Sequence, residues 1–317
     1  MNSAYEESSM LIVWHARTIV AAALFLAATD FGARAQSPQT AAQRSAQAVA
    51  DVFHEAESKY LFGFTDGTDI GNEGEMAFEY ESTGSFTKRG GRYSAIEHEL
   101  AFEHVPTQNF SYEVSAHGLT HSIHGVEDLD DRNITQFSGL SAKLRYLIIG
   151  RGPGSPFGLT VSAEPEWSRI DGTDGTRTRS YASQFKLVAD TELIANRLYA
   201  AINLIYEPEV AKPADSGMWE RSSTAGVSLG LAYRITPTFA LGVGAEYDRA
   251  YDGLAFQTFA GHALFAGPTL QINITQKVLL AAAFSAQLAG HAVDDPRPLD
   301  LTNFTRYRSN LKLEFEF

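Results

Sequence analysis

Hydrophobic and polar residues alternate with a period of two through most of the chain after residue 74. In residues 158–167 (GLTVSAEPEW), one face carries Leu, Val, Ala, Pro and Trp, and the other carries Thr, Ser and two Glu. Residues 198–206, 225–233, 239–247 and 311–317 show the same two faces. Strict alternation is typical of a β-strand with one apolar and one polar face, so this part of the chain is predicted to be all-β.

Counting every such run predicts about twelve strands. Their approximate spans are 75–86, 92–105, 110–123, 136–148, 157–169, 180–193, 198–209, 222–234, 239–249, 262–274, 278–290 and 306–317.

The connections between these strands alternate between short and long. Short connections are 106–109, 150–156, 194–197, 236–238 and 275–277, and longer polar loops are 125–135, 170–179, 210–220, 250–261 and 292–303. A β-sandwich with Greek-key crossings gives no reason for a long connection at every second turn. An up-and-down antiparallel barrel that crosses a membrane does, because its short turns and long loops lie on opposite sides of the bilayer.

The aromatic residues give a second indication of a membrane-spanning barrel. When the apolar face is turned outward, aromatic side chains occur at both ends of the strands. At the short-turn ends these are Phe110, Tyr146, Phe157, Tyr233, Phe239 and Phe317, and at the long-loop ends Trp167, Tyr181, Tyr206, Tyr247 and Tyr307. Phe157 and Trp167 are ten residues apart, which in a tilted strand covers roughly 25 Å of the bilayer normal. Two aromatic girdles flanking a hydrocarbon band are therefore predicted.

The amino terminus is predicted to be an export signal. An apolar run over 18–28 follows Arg17 and precedes Ala33-Arg34-Ala35, which places small residues at the positions that a signal peptidase reads. Residues 1–35 are therefore predicted to be a signal peptide cleaved near Ala35, and translation could begin at Met1 or at Met10.

Residues 36–73 form a separate segment before the barrel, which is assigned to residues 74–317. Apolar residues at helical spacing predict a short helix over 40–60. A glycine-rich stretch with Asp66 and Asp69 follows, and it is predicted to be a solvated turn because its spacing does not fit a calcium loop. The sequence leaves open whether this segment lies in the periplasm or plugs the barrel.

The carboxyl terminus completes the pattern, with five apolar residues on one face of the last strand. They are Tyr307, Leu311, Leu313, Phe315 and the terminal Phe317. This ending resembles the terminal strand signature of bacterial outer-membrane β-barrel proteins. The resemblance implies a location in the outer membrane of a Gram-negative bacterium, recognition by the barrel-assembly machinery, and contact with outer-membrane lipids and lipopolysaccharide.

The composition excludes some classes of function. The chain has a formal net charge of −13 and no cysteine. Because nucleic-acid binding depends on neutralising phosphates, a nucleic-acid partner is not expected. The hydrophobic content of 44% would suit a soluble protein, but it averages over two faces of opposite character.

The predicted inward face holds many charges, and these are the candidate pore-lining residues. They are Glu79, Glu81, Glu97, Glu99, Glu103, Glu113, Lys143, Arg145, Lys186, Arg306, Arg308 and Lys312. Closing the barrel sets the bases of the last strand against the acids of the first, which would create a transverse field suited to small polar or charged solutes. The preferred function is therefore a narrow porin-like channel, with no cofactor or metal. A closed structural barrel filled by ion pairs remains an alternative.

Inward residues of the seventh to eleventh predicted strands are mostly small. They are Ala201, Gly226, Ser228, Gly230, Gly242, Gly244, Gly267, Ala281 and Ala283. They leave space on one side of the lumen, either for passage or for the amino-terminal segment.

A lipid-acting hydrolase with its site at the barrel wall is the other alternative. His98 lies in phase with lipid-facing residues, and His117, His121, Ser122 and His124 cluster near the outer end of the third strand. A lipid-facing histidine is costly and thus a candidate for function. No serine or orienting amide lies at convincing spacing, and the alternation of the three clustered histidines argues against a shared metal. No catalytic residue is therefore assigned.

Overall fold

The computed structural model describes residues 58–152 and 155–317 of the chain. The predicted signal peptide lies outside these residues, as does the predicted helix except for residues 58–60, which form a turn. In the described residues, no helix is long and apolar enough to cross a membrane.

Twelve strands form the described part of the chain. They are β1 (Met76–Phe86), β2 (Gly90–Thr107), β3 (Phe110–Val126), β4 (Arg132–Ile149), β5 (Phe157–Ile170), β6 (Arg177–Ile194), β7 (Leu198–Ala211), β8 (Glu220–Thr236), β9 (Phe239–Asp252), β10 (Thr258–Thr275), β11 (Val278–Ala292) and β12 (Tyr307–Glu316).

The strands close into an antiparallel barrel in which each strand pairs with its neighbours in sequence and β1 pairs with β12. Closure leaves no unpaired edge, which a membrane-spanning sheet requires because lipid cannot satisfy backbone groups. The predicted up-and-down barrel of about twelve strands is confirmed.

The two faces of the barrel differ as the alternation predicts. Large apolar side chains such as Phe78, Leu100 and Val243 are exposed on the outside, and polar side chains such as Glu79 are buried inside. Aromatic side chains are exposed at both ends of the strands, for example Tyr146 and Trp167. The outer surface is therefore an apolar belt.

The long-loop end departs from the sequence prediction, because the strands continue further than the apolar belt. Four connections there are shorter than predicted and span 127–131, 171–176, 212–219 and 253–257, whereas the last spans 293–306, and β1 joins β2 through residues 87–89. Two of these loops fold back onto the barrel mouth. Tyr93 donates a hydrogen bond to the carbonyl of Thr173 (2.9 Å), and Lys88 donates to the carbonyl of Thr302 (2.9 Å).

Candidate functional site

Residues 58–70, which we call the luminal segment, lie inside the barrel and contact inward-facing residues of most strands. Leu61 and Phe62 are almost fully buried, in a cluster with Tyr199, Ala201 and Ala232. The barrel wall leaves room for Phe62 because residue 230 is glycine: a Cβ at Gly230 would lie 2.5 Å from the Cβ of Phe62. The small inward residues of β7 to β11 thus face the luminal segment.

An ionic cluster holds the start of the luminal segment. The Lys59 ammonium contacts three buried carboxylates, at 3.0 Å for Glu79, 3.6 Å for Glu314 and a short contact to Glu103. The Tyr60 hydroxyl also donates to Glu79. Burial alone would lower the pKa of Lys59, but these carboxylates outweigh it and raise the pKa above its ordinary value.

Asp190 on β6 binds residues near both ends of the luminal segment. Its carboxylate accepts hydrogen bonds from the hydroxyls of Ser58 (2.6 Å) and Thr68 (2.8 Å). It also pairs with Arg151 at 2.9 Å. The inward Arg145 donates to the carbonyl of Gly67 (2.6 Å). These partners lie near the short-turn ends of their strands, so the luminal segment occupies that half of the barrel.

Asp66 anchors the middle of the luminal segment. Lys186 donates to its carboxylate at 2.8 Å, and Asn203 exchanges two hydrogen bonds with its backbone. Burial would raise the pKa of Asp66, but Lys186 and Arg145 outweigh it and hold the pKa well below 3.8. The turn predicted to be solvated is instead bound inside the barrel, because inward bases offer its carboxylates partners.

A cavity of about 440 Å³ lies in the lumen between the luminal segment and the long-loop end. Tyr60, Gly63 and Phe64 of the luminal segment form part of its lining. The charged side chains that line it are Asp66, Glu81, Glu97, Glu99, Glu164, Glu166, Glu207, Glu246, Asp248, Lys143, Lys186, Arg308 and Lys312. Nine carboxylates thus face four lysine or arginine side chains and His117, so the cavity carries a negative field.

The bases of the cavity are engaged in ion pairs. Lys312 lies 2.8 Å from Glu81 across the β1–β12 seam, and Arg308 reaches across to Glu246 at 3.1 Å. Lys143 bridges Glu113 and Glu164 at 3.1 and 3.4 Å. A base of β12 is thus set against an acid of β1 across the seam, while Arg308 and Lys143 pair with acids of other strands.

Apart from Glu97, which pairs with His117 at 3.0 Å, three cavity carboxylates stay without a basic partner. Among the described residues, no ion pair joins Glu99, Glu166 or Glu207 to a lysine or an arginine. One oxygen of Glu99 is buried without a hydrogen-bond partner. These groups remain available to a positively charged solute.

The structure places eleven of the twelve predicted pore-lining residues in two regions of the lumen. Glu81, Glu97, Glu99, Lys143, Lys186, Arg308 and Lys312 line the cavity, whereas Glu79, Glu103, Glu113 and Arg145 lie at the level of the luminal segment. Arg306 is exposed before β12, with its guanidinium 5.3 Å from the ring of Tyr307. It lies at the rim because β12 begins one residue later.

Sequence reasoning omitted several carboxylates of the cavity, although alternation could have found them. Glu164 and Glu166 lie on the polar face of the 158–167 run and line the cavity, as do Glu207, Glu246 and Asp248. Lys59 and Asp190 carried no comparable signal, because their importance depends on the path of the luminal segment.

The assembly-signal residues occupy the outward face of β12 and its end. Leu311, Phe315 and Phe317 are exposed there, and Tyr307 and Leu313 are partly exposed. They lie on the outward apolar face, as their alternation predicts; their recognition by an assembly machinery remains a prediction.

The lipid-facing His98 has polar partners on the neighbouring strands. Its Nδ1 lies 2.9 Å from the hydroxyl of Tyr80, and its Nε2 lies 3.3 Å from the hydroxyl of Thr120. These partners satisfy both ring nitrogens, which explains how a histidine is accommodated on the apolar face.

The clustered histidines have separate partners. His121 contacts the carbonyl of Gly172 (3.0 Å) and His124 contacts Asp131 (2.6 Å). His117 lies between Glu97 and the hydroxyl of Ser141, each at 3.0 Å. This row resembles a catalytic triad, but the Ser141 hydroxyl also lies 3.0 Å from a carboxylate oxygen of Glu164, which competes with His117 for its proton.

Comparisons with known proteins agree with this fold. The model of a family of unknown function, DUF6662, matches residues 54–317. The chain belongs to this family. A comparison with curated proteins finds no match.

Solved structures similar to this chain are outer-membrane barrels. The COG4313 outer membrane channel from Pseudomonas putida F1 has a TM-score of 0.51 and 14% identity, over 79% of this chain and 98% of that one. The NanC porin has a TM-score of 0.44 and 13% identity, over 75% and 98%. The KdgM porin has a TM-score of 0.42 and 11% identity, over 76% and 99%. The chain thus has the fold of outer-membrane β-barrel proteins.

Proposed function

We propose that this protein is an outer-membrane channel for small polar solutes that favours cations, and that the luminal segment is its plug. The observation that carries this proposal is the cavity, which is lined by nine carboxylates, four lysine or arginine side chains and His117, and is bounded by the luminal segment on the short-turn side.

The charge of the cavity supports a preference for cations. Glu99, Glu166 and Glu207 have no basic partner among the described residues, so their field acts on any ion in the lumen. The apolar wall around a narrow lumen strengthens that field relative to bulk water. Small cations are therefore stabilised in the cavity and small anions are repelled.

The contacts of the luminal segment support a plug that can leave. Apart from the buried Tyr60, Leu61, Phe62 and Ile70, the segment is held by ion pairs and hydrogen bonds to the wall, such as those of Lys59, Asp66 and Thr68. Water and ions can replace polar contacts of this kind when the segment moves. The Pseudomonas putida protein, which shares the fold, is described as a channel, and at this identity it lends the proposal an analogy of fold.

Ion selectivity in planar bilayers tests the proposal. We expect the refolded mature chain to conduct and to show a reversal potential on the cation side in a KCl gradient. Replacing Glu99 and Glu166 together (Glu99→Gln with Glu166→Gln) should lower the K⁺/Cl⁻ permeability ratio roughly threefold or more, since a nearby charge acts on an ion by about 1 kcal/mol or more in such a lumen.

Glu127→Gln is the matched control, because Glu127 lies outside the lumen on the β3–β4 loop and pairs with Arg297. It should leave the ratio unchanged. The channel proposal would be wrong if neither the mature chain nor a variant lacking residues 36–73 conducts. The cation preference would be wrong if the double variant keeps the wild-type ratio.

A further inference from the structure

Four buried carboxylates lie close together deep in the short-turn half of the barrel, and three of them contact the ammonium of Lys59. They are Glu79 on β1, Glu103 on β2, Glu113 on β3 and Glu314 on β12, and each is only 3–4% exposed. Oxygens of the first three all lie within 4.8 Å of one another. The strand register creates this cluster, because it pairs Glu79 with Glu314 and Glu103 with Glu113.

Like charges directly opposite each other destabilise a sheet, so a bound cation stabilises this cluster. Lys312 and Lys143 lie at its edges. Lys312 also pairs with Glu81, and Lys143 also pairs with Glu164. Among the described residues, Lys59 is the base within ion-pair distance of Glu103 and Glu314. The centre of the cluster therefore depends on the luminal segment.

Glu314 provides the cluster with a buried hydrogen-bond acceptor that has no donor. Its side chain is almost fully buried, and its Oε1 has no hydrogen-bond partner while its Oε2 faces Lys59 at 3.6 Å. A single ammonium has three donors and unit charge. A divalent ion carries twice that charge and takes six to eight oxygen ligands in flexible geometry when it is Ca²⁺.

We propose that Glu79, Glu103, Glu113 and Glu314 form a divalent-cation site that Lys59 occupies while the luminal segment is seated. Release of the segment and uptake of a cation such as Ca²⁺ are then linked, because Lys59 and the cation compete for the same carboxylates. This inference rests on the proposed mobility of the luminal segment, and it adds a regulating ligand to the channel.

Calcium titration of the detergent-solubilised protein by calorimetry tests the site without any measurement of conductance. Lys59→Gln removes the tethered ammonium, and we expect it to bind one Ca²⁺ per chain at least tenfold more tightly than the wild type. Lys212→Gln makes the same charge change outside the cluster, and it should bind Ca²⁺ as the wild type does. Adding Glu103→Gln and Glu314→Gln to Lys59→Gln should abolish the tight site.

The proposal would be overturned if Lys59→Gln binds Ca²⁺ no more tightly than Lys212→Gln. It would also be overturned if the tight site persists in the triple variant. Far-ultraviolet circular dichroism checks that each variant keeps its barrel.

A second measurement leaves Lys59 in place, so it does not depend on that variant folding. The chain has no cysteine, so a thiol introduced by Thr68→Cys reports on the luminal segment alone. Ca²⁺ should raise its labelling rate severalfold, and Glu103→Gln with Glu314→Gln should remove this effect. A labelling rate independent of Ca²⁺ would contradict the link between Ca²⁺ binding and release of the segment. If Ca²⁺ does raise the labelling rate but the protein does not conduct, only the channel proposal is contradicted.

Discussion

At the scale of single residues, Asp66 shows how the barrel wall holds the luminal segment by charge. Its carboxylate lies 2.8 Å from Lys186, and the bases around it keep its pKa well below 3.8. A pKa that is lower in the seated than in the released segment means that ionised Asp66 stabilises the seated form. This contribution is fully present above pH 3.8. It is lost as the pH falls below 3.8 toward the pKa that Asp66 has in the seated form.

Asp66→Asn should therefore loosen the luminal segment at neutral pH and lose its effect in acid. At pH 6 we expect roughly tenfold more frequent channel opening than in the wild type, since a hydrogen bond to a charged group contributes about 1.5 kcal/mol or more. As the pH falls below 3.8, the two proteins should converge. Single-channel recording between pH 6 and pH 3 measures this, with Asp130→Asn in an exposed loop as control.

An Asp66→Asn protein that opens no more often than the wild type at pH 6 would contradict the role given to this ion pair. A difference in opening frequency that persists undiminished at pH 3 would contradict the assignment of the effect to the ionised Asp66 carboxylate.

Alternation assigns residues to the inward face but does not identify their partners. Glu81 and Lys312 could be paired from sequence because closure of the barrel sets the last strand beside the first, and they lie 2.8 Å apart. Arg308 turns instead to Glu246 on β9, across the lumen. Such a contact depends on side-chain length and on the space left by the luminal segment, neither of which is local in sequence.

At the scale of elements, the strands follow from the local pattern and the luminal segment does not. A period of two over ten or more residues determines a strand and its outward face, so the barrel could be predicted. The strand ends could not, because β3 and β4 continue beyond the apolar belt into residues predicted as loop. The position of residues 58–70 inside the barrel depends on small residues contributed by several distant strands, such as Gly230 and Ala201.

Gly230→Ala should unseat the luminal segment. The added Cβ would lie 2.5 Å from the Cβ of Phe62, closer than real contacts allow, and overpacking of this kind costs about 1–3 kcal/mol. We expect amide hydrogen exchange in residues 58–70 to accelerate by roughly tenfold or more, measured by mass spectrometry.

Gly244→Ala is the matched control on the next strand. There the added Cβ would meet its nearest atoms, including the Phe62 carbonyl oxygen, at 3.7 Å, which is ordinary contact. Equal exchange in the two variants would contradict the fit of Phe62 against Gly230.

At the scale of the whole molecule, the barrel combines an acidic cavity with a luminal segment that closes one end of it. The charge of the chain, −13 in total, is thus partly concentrated where a solute would pass. Composition could not show this, because it averages over the apolar belt and the lumen. A channel of this form requires that the luminal segment move before solutes pass.

Tethering the luminal segment to the wall tests this requirement most directly. The Cβ of Thr68 lies 2.9 Å from the position that a Cβ on Gly158 would take, and a small shift would reach the separation of about 3.5–4.5 Å usual in disulfides. Because the chain has no cysteine, Thr68→Cys with Gly158→Cys introduces the only pair. The two single variants are the controls, and they should conduct in oxidising and in reducing buffer.

Conductance of the double variant in planar bilayers, before and after reduction, is the decisive measurement. The account predicts no conductance in the oxidised protein and conductance close to that of the single variants after reduction. Undiminished conductance with the disulfide formed would show that solutes pass without movement of the luminal segment and would contradict the account.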